Sequence, residues 1–189
     1  MAATETKSLR RDARNNIVKL QEAARKIFLA RGLDAPLDEI ARNAGVSVGT
    51  LYNRFGSREA LIDSVIPDIA GSRLRALGES VAAHEGAKER LEAFVTGMID
   101  IQLDDPALND AILRRFPDAT TLVGVCDISS ALGEDLVRQA HRDGVLSEDF
   151  TSEDLFAILW LAGTASRSAH APARWRQSLQ RALEAAWTS

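Results

Sequence analysis

One cysteine, one tyrosine, two methionines and five prolines are all that these 189 residues hold of those types, and the shortages exclude whole classes of protein. With Cys126 alone no internal disulfide can form, which fits a reducing cytosol rather than a secreted scaffold. His84, His141 and His170 lie far apart, and none stands at metal-ligand spacing from Cys126. The longest apolar run, Leu155 to Ala165, falls well short of the roughly 20 residues that cross a bilayer. Residues 1–16, MAATETKSLRRDARNN, lack the apolar centre of a secretion leader. Nucleophile elbows, phosphate loops and glycine-rich dinucleotide fingerprints are missing. No alternating β-branched stretches flank a hairpin turn. These absences predict a cytoplasmic, all-helical chain that is not an enzyme and needs no cofactor, metal or membrane.

What is present is apolar enough to fold and unevenly charged. The chain is 46% hydrophobic and 26% charged, so a packed core is expected. The net charge of −4 hides a split: residues 1–58 carry 11 Lys or Arg against 6 Asp or Glu, and residues 59–189 carry 12 against 21. A basic beginning on an acidic remainder assigns any contact with phosphate to the first part.

Helical periodicity runs almost throughout. A first helix is expected from about Ala13 to Arg31, with Ile17, Leu20, Ala24, Ile27 and Phe28 on one face and Gly32 as its stop. Ahead of it, segment 1–12, with Lys7, Arg10 and Arg11, reads as a mobile basic arm able to track phosphate or enter a minor groove. A short second helix follows Pro36 and stops at Gly45. A third starts after the natural cap Ser47 and ends near Gly56. Ser57 then caps a fourth, from Arg58 to about Ala82, kinked at Pro67. Later helices follow Gly86, Asp105-Pro106, Pro117-Asp118, Thr151 and Pro172, about nine in all. Asp104-Asp105 reads as a solvated turn.

Residues 37–56, LDEIARNAGVSVGTLYNRFG, place two short helices around a tight turn at Gly45, which is the make-up of a helix-turn-helix. Ile40, Ala41, Val46, Leu51 and Phe55 fall on the inner side. Ser47, Val48, Gly49, Thr50, Tyr52, Asn53 and Arg54 are left for the outer face of the second of these helices. Hydroxyls and amides there suit base edges or phosphates, and the Val48 methyls suit a thymine methyl.

This stretch strongly resembles the TetR family of one-component transcriptional regulators. The resemblance rests on Gly32, Ile40-Ala41, Ala44-Gly45-Val46, Ser47, Gly49-Thr50-Leu51-Tyr52, Phe55, Arg58-Glu59 and Leu61, in register over some fifty residues. It implies an all-α fold, with a three-helix DNA-binding unit at 1–57 and a larger helical unit for effector binding and dimerisation at 58–189. It implies a homodimeric repressor on palindromic double-stranded operator DNA. It also implies that Thr50 touches a phosphate or base edge, Tyr52 a phosphate, Asn53 a base edge or phosphate, and Arg58 a phosphate. Two positions depart from the family pattern. Ala35-Pro36 stand where a phosphate-touching hydroxyl is common before the second helix, leaving only backbone N–H groups there. Val48 stands where many members carry Lys.

The rest of the chain is read from helical pattern. The run from Leu155 to Gly163 is apolar nearly all round, so it is expected to be buried on more than one side. Together with the last helix it is assigned to a four-helix dimer interface built from Leu155, Leu159, Ala162, Trp175, Leu179 and Leu183. Phe94, Met98, Phe116, Cys126 and Trp160 are candidate walls for a small apolar or aromatic effector. Gln102 and Thr164, with Thr96 and Asn109, are the polar groups that would orient it. Two other readings fit the same residues: an all-α protein-interaction module, and a DNA-binding regulator with no small-molecule effector.

Overall fold

From Ala2 to Arg31 there is neither glycine nor proline, and Ala, Leu, Arg, Lys and Glu, all strong helix formers, dominate. The computed structural model, which describes residues 2–114 and 116–188 and their side chains from Arg14 onward, accordingly carries one helix over this whole span, α1 (Ala2–Arg31). The expected mobile arm is therefore helical from Ala2; the side chains of Lys7, Arg10 and Arg11 lie outside the described residues. There follow α2 (Leu37–Asn43), α3 (Val48–Phe55), α4 (Arg58–Asp63) and α5 (Ile66–Ala82). The remainder is α6 (Ala87–Asp104), α7 (Pro106–Leu113), α8 (Thr120–Arg142), α9 (Ser152–Arg167) and α10 (Trp175–Glu184). An isolated antiparallel bridge joins Leu146 to Trp187. Among the described residues no helix is long and apolar enough to cross a membrane.

Among the described residues ten helices replace the expected nine, because the fourth breaks rather than kinks. Pro67 lacks an N–H and its ring would strike the carbonyl of Asp63, so a continuous helix is blocked there. The chain stops at Asp63, turns at Ser64–Val65, and restarts with Pro67 in the first turn of α5, where a missing donor costs nothing.

The N-terminal helices close over Leu20, Phe28, Leu33, Ile40, Leu51 and Leu61, each with no exposed surface. Ile40, Ala41 and Leu51 are buried where periodicity placed them, with Val46 and Phe55 packed at the rim. In the remainder α6 is the central helix, packed against α5, α7, α8 and α9. Leu91, Phe94, Val95, Met98 and Ile101 are its buried stripe.

Asp105 corrects the expectation of a solvated turn at 104–105. It is 4% exposed, and one carboxylate oxygen accepts from the Ala107 and Leu108 N–H groups at 3.0 and 3.1 Å. Those are first-turn donors of α7 that no carbonyl of the helix can reach. Thr151 and Asp154 likewise form a complete capping box at the start of α9. Asp154 is held below the ordinary carboxylate range by the N–H and hydroxyl of Thr151. Replacing Asp105 by Ala should lower the free energy of unfolding by about 1–2 kcal/mol in a urea titration, whereas a solvated turn residue would give no measurable change.

Candidate nucleic-acid interface and effector cavity

The turn between α2 and α3 is set by Gly45, whose φ of +72° lies in the left-handed region that L side chains rarely adopt. Its N–H donates to the Arg42 carbonyl and that of Val46 to the Ala41 carbonyl, which closes α2 and redirects the chain. Ser47 then caps α3: its Oγ accepts from the Thr50 N–H at 3.2 Å and lies 2.9 Å from the Thr50 hydroxyl. Leu51 anchors α3 inward with no exposed surface.

With Leu51 buried, helical spacing turns Val48, Gly49, Tyr52 and Asn53 outward together. All four are exposed, Tyr52 at 50% and Val48 at 42%, as are Ser47 and Arg54; Thr50 is half-buried. A side chain at Gly49 would meet only the Ser47 hydroxyl, so a ligand backbone has a close approach here. The first turn of α3 carries no acidic residue, which leaves the positive end of its peptide dipoles unopposed. The start of α2 differs. Pro36 provides no side-chain cap, and Asp38 and Glu39 occupy the first turn, where they pair with Arg42 and Arg31.

Arg58 has a role that sequence pattern did not reveal. Its guanidinium Nη1 donates to the carbonyls of Leu33 and Ala35, both at 2.8 Å, and the residue is half-buried. It therefore ties the start of α4 to the turn between α1 and α2. Any phosphate contact has to use its other donors.

Further ties join this turn and α4 to the C-terminal helices. The Leu33 N–H donates to Asp110 Oδ2 at 2.7 Å, and Arg114 pairs with Asp34. Gly32 permits the first tie: φ is +90°, and a Cβ there would collide with the Asp110 carboxylate. From the other side Asp63 accepts from the Leu122 N–H and the Thr121 hydroxyl, both at 2.9 Å. It supplies the N-terminal cap that Ala119 cannot give α8. None of these partners is near in sequence, so no local pattern announces them.

Of the expected effector residues, Phe94, Met98, Cys126 and Trp160 do line one cavity, of about 710 Å³, enclosed by α5, α6, α7, α8 and α9. Burial, and then Asp127, push the Cys126 thiol up, so it acts as a soft apolar wall and not as a thiolate. Phe116 lines a neighbouring cavity of about 350 Å³, its ring 5.3 Å from the Arg114 guanidinium. Gln102 is 1% exposed and does not line the cavity; its Nε2 donates to the Leu159 carbonyl at 3.1 Å. Asn109 is fully buried and reaches the Gly163 carbonyl. Thr164 and Thr96 face outward. The two buried amides have thus gone to backbone partners, as buried amides must.

The assigned interface residues also divide. Leu155, Leu159, Ala162 and Leu183 are buried inside the single chain, and Trp175 and Leu179 are half-buried. The outward stripe of α9 is instead Ala157, Trp160, Leu161 and Thr164, with Trp160 53% and Leu161 48% exposed. A helix apolar nearly all round has no phase from which its inward face can be read.

Known proteins can be set beside this geometry. The sequence model for bacterial regulatory proteins of the tetR family matches residues 20–65, which span the helix-turn-helix. The HTH-type transcriptional regulator TtgW of Pseudomonas putida, itself uncharacterized, is 32% identical over 99 residues, 52% of this chain and 69% of that protein. SrpR, an HTH-type transcriptional regulator of the same species, is also 32% identical over 99 residues, but these make up only 43% of its length. The crystal structure of RolR with resorcinol aligns with 95% of this chain and 91% of its own, at a TM-score of 0.61 and 17% identity, a likeness of fold.

Arg58→Ala should lower stability in the absence of DNA by about 1.5–3 kcal/mol, read from denaturant unfolding, since a charged donor to two carbonyls is lost. A residue serving phosphate alone would leave that midpoint where it is.

Proposed function

The chain belongs to the TetR family of bacterial transcriptional regulators, and from that premise we propose that it is a cytoplasmic homodimeric repressor that grips a palindromic operator and lets go when a small molecule enters its C-terminal unit. The proposed division runs between residues 57 and 58. The observation that carries the reading is the capped α3, which is anchored by Leu51 and presents Val48, Gly49, Tyr52 and Asn53 outward with no acidic residue in its first turn. Such a face fits a major groove. Asn53 is assigned to a base edge, Tyr52 and Thr50 to phosphates, Ser47 and Arg54 to the groove rim, and Val48 to a thymine methyl.

Two such heads read two half-sites only if the chains pair. The outward stripe of α9, with its exposed Trp160 and Leu161, supports that pairing better than the inward-facing Leu155, Leu159 and Ala162. Trp160 and Ala157 also border the 710 Å³ cavity, so a partner seated on α9 would help close its mouth.

Effector control needs a conformational element that both sites bias, with coupling of typically 1–3 kcal/mol. The broken fourth helix is a poor rigid lever, and α7 is the better candidate. Ile112 faces the cavity, while Asp110 on the same helix holds the Leu33 N–H and Arg114, just beyond it, pairs with Asp34. A ligand that shifts α7 moves the turn on which α2 and α3 are mounted. The resorcinol bound by RolR supports a small ring compound as the kind of effector.

Two measurements test this reading. Affinity for the inverted repeat nearest the gene should fall linearly on a log–log salt plot, and Asn53→Ala should weaken it by about 1–3 kcal/mol; binding indifferent to salt and to DNA sequence would support the protein-interaction alternative. Leu161→Glu should yield folded monomers by sedimentation, whereas Leu159→Asp should unfold the chain, because Leu159 is only 3% exposed. A Leu161→Glu protein that stays dimeric removes α9 from the interface.

A further inference from the structure

The 710 Å³ cavity adjoins a second space of about 540 Å³ between α5, α6 and α8, and Leu74, Phe94 and Ser129 line both. The first is walled by the aromatic rings of Phe94, Phe156 and Trp160. The second adds the aliphatic groups Leu77, Val125 and Leu132, and its charged members, Arg75 and Glu79, are exposed. It runs along Gly71 and Gly78 of α5, two helical turns or about 10.5 Å. A Cβ at Gly71 would meet nothing within 4 Å, and one at Gly78 only Leu132 at 3.9 Å. The groove is therefore open where these side chains are missing.

A second, independent feature lies where the two spaces meet. Ser129 is only 9% exposed, and among the described residues its hydroxyl has one partner, Met98 Sδ, at 3.8 Å. A thioether is a weak acceptor, whereas a hydroxyl carries one good donor and two acceptor sites. Mid-helix serines commonly turn back to a carbonyl of the preceding turn, and among the described residues this one does not. A buried hydroxyl left so poorly satisfied is costly, and a ligand oxygen placed against it recovers that cost. Of the three shared side chains Ser129 is also the smallest, so the passage between the spaces runs over it.

We propose that the effector is an elongated molecule with three parts: a ring in the aromatic cavity, a carbonyl oxygen at Ser129 Oγ, and an alkyl tail in the groove between α5 and α8. The proposal rests on the effector reading above and extends the ligand past its ring. The Ser129 hydroxyl donates to the carbonyl and exchanges a weak sulfur acceptor for a strong oxygen one. The tail covers Leu77, Val125 and Leu132 along the line of the two glycines. Ser129 thereby sets where along the ligand the oxygen must stand.

The experiment is calorimetric titration of the full-length protein with octanophenone, octylbenzene and acetophenone, which carry ring, oxygen and tail, ring and tail, and ring and oxygen. Octanophenone should bind at least about tenfold tighter than acetophenone, since its tail adds buried methylenes. Ser129→Ala should weaken octanophenone about three- to tenfold and leave octylbenzene unweakened. Gly71→Leu, placed where a side chain has room, should weaken octanophenone and spare acetophenone. Circular dichroism checks that both variants fold. An Ser129→Ala protein that treats ketone and hydrocarbon alike, or a Gly71→Leu protein that binds octanophenone as before, overturns the three-part ligand and leaves the cavity as effector site standing. If none of the three compounds binds the native protein, the effector reading falls with it.

Discussion

Two backbone amides that helix ends leave without partners determine how the N-terminal helices sit on the rest of the molecule. Leu33 N–H, in the turn after α1, is met by Asp110 of α7, and Leu122 N–H, in the first turn of α8, is met by Asp63 of α4. A charge-assisted bond to a carboxylate is among the stronger hydrogen bonds available, and a buried donor without one is costly. The carboxylates face each other's territory: one reaches from the C-terminal helices to the head, and the other reaches back. Gly32 leaves room for the first, and the break at Ser64–Val65 leaves Asp63 at a helix end, where it can serve the second.

That arrangement gives short helices long reach. Helix α7 has eight residues, yet it carries Asn109 against α9, Asp110 against the turn after α1 and Ile112 against the cavity. A rigid element with three separate contacts passes displacement at one to the others, because packed interiors rearrange as units and do not deform freely. The proposed coupling between effector and operator therefore needs no long continuous lever, only this helix and the Arg58 tie that keeps Leu33 and Ala35 in step with α4.

Charge is partitioned to match. The basic excess lies in residues 1–58 and the acidic excess in 59–189. In the functional reading proposed above, one end attracts phosphate, while the other repels it. The acidic residues at the start of α2 are the exception inside the basic part, and their pairing with Arg42 and Arg31 partly offsets their charge.

Where the information is local, sequence alone determined the outcome. The helical class, the turn at Gly45, the Ser47 cap, the inward Ile40, Ala41 and Leu51, and the outward Val48, Tyr52 and Asn53 all follow from spacing within one or two turns. Each depends on backbone preferences and a helical period that a single segment already contains. Tertiary structure alone decided what depended on a partner distant in the chain. Arg58 bonds carbonyls more than twenty residues away, Asp105 is buried by its surroundings, and Gln102 bonds a backbone carbonyl of α9 instead of lining the cavity. Helix α9 is the clearest case. Apolar around almost its whole circumference, it holds no record of which side faces its own core, and only the packing of α6, α7, α8 and α10 against it left Ala157, Trp160, Leu161 and Thr164 outside.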